Sequence, residues 1–236
     1  MKLVGFPPSP RTWAARAVAA QLGVPLELEF VDLTKGQQHS PEYRAINPTG
    51  RSPTLVDGDF KLWETTAVMH YLASQKPNTL WPNDARVRAD IVRWQSWTLA
   101  HWEKESCVPL VFERIVKQIL GAGPPDAAVV AKALDNFARD AKLLEAHLAK
   151  QPYMVGSALT LADFSVTGPL LYHERAGIPL ADYPKLRDWF GRVTALPCWK
   201  GDRAGILRRS GVSVVAVVLR CSARKRAEPR RTSDSR

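Results

Sequence analysis

Ser52-Pro53 and Glu64-Thr65 are the residues of this chain best suited to hold a small acidic peptide. A proline entering a strand removes a ladder hydrogen bond, so it belongs at a strand start or edge. An X-Pro bond there can be cis, which turns the backbone of Ser52 outward as a free donor and acceptor. An extended peptide can pair with such a backbone as an added strand. Glu64-Thr65 stands where a helix opens, and the exposed N–H groups of a helix start attract carboxylates. A pairing edge beside a helix start describes a site for a short acidic peptide.

The elements that must position these residues are legible on either side. Thr54-Leu-Val is a short apolar run, Asp57-Gly58 is a two-residue hairpin signal, and Phe60-Lys-Leu-Trp63 alternates. The helix opened by Glu64-Thr-Thr66 carries the apolar stripe Ala67, Val68, Tyr71 and Leu72. Upstream, residues 2–6 read as a strand and 7–10 as a Pro-rich loop. Residues 12–22 read as an alanine-rich helix stopped by Gly23 and Pro25, with Thr12 as its cap, and 26–31 as a second strand. The order is β-α-β-(loop or helix)-β-β-α. The Pro/Asn-rich residues 77–84 then read as a linker between a domain at 1–76 and one at 85–200.

Beyond the linker the period is helical throughout. Val87, Ile91, Trp94 and Thr98 fall on one face of a long helix, and Val130, Leu134, Phe137, Ala141, Leu144 and Leu148 on one face of another. Gly121-Ala-Gly-Pro-Pro125 separates the two. Thr160-Leu-Ala-Asp163 has the shape of a capping box with Asp in place of Glu or Gln. Tyr183, Leu186, Trp189, Phe190 and Val193 complete a further amphipathic helix.

Composition narrows the classes. No apolar run reaches membrane-spanning length, and the N-terminus lacks a signal pattern. Cys107, Cys198 and Cys221 are scattered, without C-x-x-C, which points to a reducing cytoplasm and away from a disulfide framework or zinc site. His39, His70, His101, His147 and His173 show no metal-ligand spacing, so no metal is expected. The formal charge of +10 is local: residues 201–236 hold nine Arg and one Lys against three acids, leaving only +3 on the first 200. That places the basicity in a tail, read as disordered, and not on a folded face suited to nucleic acid. The tail reads either as a surface-binding arm or as a C-terminus translated in a shifted frame.

The Gly50-to-Leu72 pattern, with Pro8-Ser9-Pro10 ahead of the first helix, resembles cytosolic glutathione S-transferases of the serine type, phi- and theta-like. The resemblance runs from Met1 to about Trp199 and implies a thioredoxin-like α/β domain followed by an all-α helical bundle. It implies that Pro53 is cis, that Glu64 and Thr65 hold the γ-glutamyl end of glutathione, and that the backbone of Ser52 pairs with its cysteinyl unit. It gives Gln38, His39 and Arg51 the glycyl carboxylate. In such an enzyme a hydroxyl at a helix start favours the thiolate of glutathione, whose free thiol titrates near ~8.5. Ser9 matches that hydroxyl, with Thr12 in reserve. Trp13 and Ala14 stand where many relatives carry basic residues, which implies a weaker positive field at sulfur. The electrophile pocket is expected between the domains, lined by Phe6, Pro8, Trp102, Cys107 and Leu110. The resemblance further implies detoxification chemistry on a small apolar electrophile, with glutathione as co-substrate, and a cytoplasmic homodimer with no membrane partner. The alternative from another class is a non-catalytic binding or regulatory module on the same fold.

Overall fold

The computed structural model describes residues 1–200, and the readings of 201–236 as a basic tail lie outside these residues. Leu3, Val4 and the strand β1 (Lys2–Gly5) form the middle of the sheet. Helix α1 (Pro10–Leu22) crosses over to β2 (Glu27–Phe30), which pairs parallel to β1 with Leu3 opposite Leu28. Two 3₁₀ turns, Leu33–Lys35 and Gln37–His39, lead to α2 (Pro41–Ile46). Strands β3 (Thr54–Asp57) and β4 (Phe60–Trp63) follow antiparallel, giving the order β2-β1-β3-β4, and α3 (Thr65–Ser74) closes the unit. This is the expected thioredoxin-like order.

Two boundaries differ from the sequence reading, each for a local reason. Helix α1 begins at Pro10 and its N-cap is Ser9, not Thr12, because proline loses nothing at the first helical position. The hairpin turns on Gly58-Asp59, with Asp57 already paired to Phe60, because Gly58 takes the positive φ of 61° that the first corner of the turn requires.

Residues 85–120 follow one helical path with two wide stretches. Helix α4 (Ala85–Trp97) is capped by Asp84, whose Oδ1 accepts the Val87 N–H at 2.9 Å. It continues as a π-helical segment, Thr98–Cys107, then α5 (Val108–Val111), a second π-helical segment, Phe112–Val116, and α6 (Lys117–Leu120). Pro109, which has no N–H to give, lies between the two wide segments. After Gly121, α7 (Ala127–Leu148), α8 (Leu161–Thr167), α9 (His173–Ala176), α10 (Pro184–Ala195) and α11 (Pro197–Lys200) complete the helical part. None of the described helices is long and apolar enough to cross a membrane.

One contiguous core joins the two parts. Leu3 and Leu55 on the inner sheet face, the alanines of α1 and the apolar side of α3 belong to the same cluster as Trp102, Phe137, Phe164, Trp189 and Trp199. Val4, Val31 and Tyr43 form a small separate cluster under α2 on the opposite face. Alternation along β1 is what sends Leu3 one way and Val4 the other.

Candidate active site

Helix α1 and the cis-Pro loop bring the first candidates together. Ser9 is extended (φ −67°, ψ 127°), its carbonyl accepts the Trp13 N–H at 2.9 Å, and its own N–H donates to Phe6 O at 2.9 Å. Its half-buried hydroxyl makes no capping bond to the helix, so the hydroxyl remains available beside the helix start. Tyr172 fixes this loop from the helical part by donating its hydroxyl to Pro8 O at 2.6 Å. Thr12 is fully buried against Gly5, where an added Cβ would lie 3.0 Å from Thr12 Oγ1 and 3.1 Å from Pro53 Cβ. Burial removes Thr12 as the reserve hydroxyl and makes Gly5, Thr12 and Pro53 the packed floor behind the loop.

The Ser52-Pro53 bond is cis. Ser52 Oγ accepts the Phe6 N–H at 3.1 Å, which ties the proline loop to the end of β1. The carbonyl of Arg51 accepts from Tyr43 OH at 2.6 Å and from Asn47 Nδ2 at 2.7 Å. Asn47, almost wholly buried, also donates to Thr54 Oγ1 at 3.0 Å and accepts from Thr49 N and Oγ1. Asn47 is thus the lock of the loop, a role missed in the sequence, although its place before Pro48-Thr49-Gly50 is a turn signal. Asn47→Ala strips the donor from the Arg51 carbonyl and from the buried Thr54 Oγ1, and the acceptor from Thr49, and should lower stability by about 2 kcal/mol, read as a lower denaturation midpoint at unchanged slope.

Glu64, at the N-cap of α3, is the one non-glycine residue at positive φ among those described (φ 67°). Strain of this kind collects at ligand-binding positions. The next residue, Thr65, has its Oγ1 shut from solvent with no partner among the described residues. Arg11, on the first turn of α1, donates from Nε to Glu103 Oε1 at 2.8 Å, across to the π-helical segment. Burial alone would lower the Arg11 pKa, but the charge and hydrogen bond of Glu103, with the charge of Glu64, outweigh that and raise it. Arg11 therefore keeps its charge in this half-buried pair with Glu103.

These residues line two adjoining hollows. One is bounded by Arg11, Asn47, Arg51, Ser52, Pro53, Glu64 and Thr65. The other shares Arg11, Glu64 and Thr65 and extends between α1, α3, α4 and α8 past Pro10, Thr98, Leu99 and Glu103. The first unites five of the expected peptide-binding residues: Arg51, Ser52, Pro53, Glu64 and Thr65. Gln38 and His39 lie outside both: Gln38 Nε2 donates to His39 Nε2 at 3.1 Å, and the His39 ring packs on Gly50, where an added Cβ would meet His39 Nδ1 at 3.0 Å.

The expected electrophile wall divides. Phe6 and Pro8 sit half-buried in the Ser9 loop, Phe6 with its ring 6.2 Å from that of Phe30. Trp102, Cys107 and Leu110 are fully buried and face the helical core, not an open cavity. Trp102 donates Nε1 to Val166 O at 3.1 Å and its ring lies 5.1 Å from that of Phe137. Burial, and the charges of Glu103 and Asp140, push the Cys107 thiol well up, so it is no nucleophile. Native protein should accordingly leave Cys107 unmodified by a thiol reagent that labels it after unfolding, as mass spectrometry can read.

Family models described as the glutathione S-transferase N-terminal and C-terminal domains match residues 1–74 and 106–197. Glutathione S-transferase 3 of Zea mays is 35% identical over 87% of this chain and 94% of its own length. The chain belongs to the glutathione S-transferase family. Human glutathione S-transferase theta-2B is 34% identical over 75% of this chain and 73% of its own. Among solved structures, a glutathione S-transferase III in apo form matches with TM-score 0.74 at 36% identity, over 84% of this chain and 93% of that one. Phi- and theta-type resemblance, the thioredoxin-like domain and the helical domain all agree with this membership.

Proposed function

We propose that this chain is a glutathione transferase joining the glutathione thiolate to a small apolar electrophile. The observation that carries the reading is Ser9, a half-buried hydroxyl at the start of α1 that makes no bond to its own helix. A hydroxyl donating to sulfur beside a helix N-terminus favours the charged form of a thiol. The thiol proton leaves to solvent, the thiolate attacks the electrophilic carbon, and either a leaving group departs with its electron pair or the adduct takes a proton. In this reading residues 1–76 bind glutathione, 77–84 link, and 85–200 wall the cleft. Ser52 and Pro53 align the cysteinyl backbone, Glu64 and Thr65 hold the γ-glutamyl end, and Arg51, with Gln38 and His39 behind it, meets the glycyl carboxylate. Phe6, Pro8 and Pro10 offer the apolar rim for the electrophile. Relatives named as transferases favour catalysis over a non-catalytic module. The protein would work as a homodimer in the cytoplasm, where Cys107 and Cys198 stay free.

The test is the ultraviolet thiolate absorbance of glutathione bound to the purified protein, followed across pH, with product formation from an aryl halide. A bound thiol titrating well below the free value near ~8.5 and turnover at neutral pH are expected. Binding without thiolate signal or turnover at neutral pH would return the chain to the binding-module reading.

A further inference from the structure

Helix α3 opens at Glu64 and Thr65 and carries His70 about 7.5 Å further along its axis. His70 is half-buried where three elements of the chain meet. Its Nε2 lies 2.7 Å from Oε1 of Gln95 on α4, and its ring stacks on that of Trp81 in the linker at 4.2 Å. Gln95, only 1% exposed, also donates from Nε2 to Ser165 Oγ on α8 at 3.2 Å. The direction of this chain of bonds is fixed from its far end. The Ser165 hydroxyl gives its one proton to Leu161 O at 3.1 Å, so it can only accept from Gln95. The amide nitrogen of Gln95 therefore faces Ser165, its oxygen faces His70, and the proton of neutral His70 sits on Nε2. The Leu161 N–H in turn holds the linker at Leu80 O, 3.0 Å away. One continuous polar chain thus joins α3, α4 and α8, and Gln95 and Ser165, with Met69 next to His70, line the larger hollow.

A second proton on the His70 ring is unwelcome. Arg88 lies over the same indole, its guanidinium carbon 4.9 Å from the ring centroid of Trp81, and its Nε donates to Pro82 O at 2.7 Å. Burial opposes an imidazolium, the bond to Gln95 favours it, and the charge of Arg88 opposes it again; the balance lowers the His70 pKa. Among the described residues the charged group acting on His70 from these elements is Arg88, while Trp81, Gln95 and Ser165 are neutral. A form of the protein in which His70 reaches water takes up a proton near the ordinary value of ~6.5, before the packed form does. The packed arrangement is therefore at full strength above that pH and weakens as pH falls below it.

We propose that Gln95 is a positioning residue of the cleft, clamping α3 to the helical part through His70 and Ser165, and that protonation of His70 loosens this clamp. The proposal rests on the glutathione reading above and adds that the hold on the peptide weakens in mild acid. A loosened α3 carries Glu64 and Thr65 out of register with the loop of Ser52 and Pro53.

The experiment measures S-methylglutathione binding by titration calorimetry at about pH 7.5 and about pH 5.5, where carboxylates stay ionised and the probe has no thiol to titrate. In wild type the dissociation constant should be about 3–10-fold larger at the lower pH, within the limit of about tenfold per pH unit for one proton. In His70→Gln, which keeps an N–H for Gln95 and cannot titrate, the ratio between the two pH values should fall below about twofold. Gln95→Glu should also flatten the ratio, because its carboxylate pairs with the imidazolium. It should move the His70 titration, followed by NMR of the ring Cε1–H, from below ~6.5 to above it. If Gln95→Glu does not fold, His70→Gln and the wild-type titration decide alone. An acid loss of wild-type size in His70→Gln, or a wild-type His70 titrating at or above ~6.5, overturns the clamp and leaves the transferase reading intact. If wild type binds no S-methylglutathione at either pH, the glutathione reading fails and the clamp is judged by melting. A fall in Tm toward acid that is present in wild type and missing in His70→Gln then upholds it, and equal falls overturn it.

Discussion

Ser9→Ala should raise the pKa of the bound glutathione thiol by about 1–2 units, because a hydrogen bond to a charged group is worth about 1.5–3 kcal/mol and each unit is about 1.4. At a pH below both thiol pKa values, kcat/KM should fall by about 10–100-fold in proportion to the thiolate lost. The sign fixes the pH profile. The reactive form is the deprotonated one, so activity rises with pH, and the variant's rise is displaced to higher pH. Above the variant's thiol pKa the two proteins should converge, while the KM for glutathione moves little because the peptide-binding residues are untouched. What remains of the depressed pKa in the variant is the contribution of the α1 N-terminus, about 0.3–1 kcal/mol. Stability provides the control: Ser9 makes no side-chain bond to its helix, so its hydroxyl is not holding the fold. A variant that folds as wild type yet shows the displaced profile assigns the hydroxyl to the sulfur. Superimposable pH profiles would remove Ser9 from the chemistry.

Local chemistry was the legible part of this chain. Pro53, the Glu64-Thr65 helix start and the Asp163 cap each announce themselves within a few residues, because a strand mouth or a helix start constrains its own neighbours. The hairpin was legible to within one residue, since Asp-Gly marks the turn but the positive φ of Gly58 decides which pair of residues occupies it. Faces along residues 98–116 were not legible. Bonding from i to i+5 widens the turn, so a period of 3.6 drifts, and Trp102, Cys107 and Leu110 arrive in the core instead of at the cleft. The Arg11–Glu103 pair was hidden for a different reason. Its members are 92 positions apart, and no pattern in either segment names the other.

Asp163→Ala should cost more than about 4 kcal/mol of folding stability, the largest effect expected of any single substitution here. The carboxylate is fully buried at the start of α8 and accepts four hydrogen bonds. Oδ1 takes the Met154 N–H at 2.9 Å and Trp189 Nε1 at 2.9 Å; Oδ2 takes the Thr160 N–H at 2.9 Å and its hydroxyl at 3.1 Å. One side chain thereby fastens the loop before α8, the cap of α8 and the indole of α10. Alanine leaves all four donors buried without an acceptor, at about 1–3 kcal/mol each before relaxation. For a unit of this size about 2–4 °C of melting temperature accompanies each kcal/mol, so a fall of roughly 10 °C or more is expected in calorimetry. Asp163→Asn keeps the volume but turns an amide NH₂ toward donors, so it should lose most of the same stability. The pH dependence separates charge from shape. Burial pushes the Asp163 pKa up and the four donors pull it back, with the balance above the ordinary Asp value of 3.8. An acid whose folded pKa is raised opposes folding when ionised, and that opposition fades as pH falls from the folded pKa through the unfolded one. Wild type gains by this fading and Asp163→Asn does not, so the gap between them should widen toward acid. A gap that narrows instead would mean that the four donors, and not burial, govern the ionisation of Asp163.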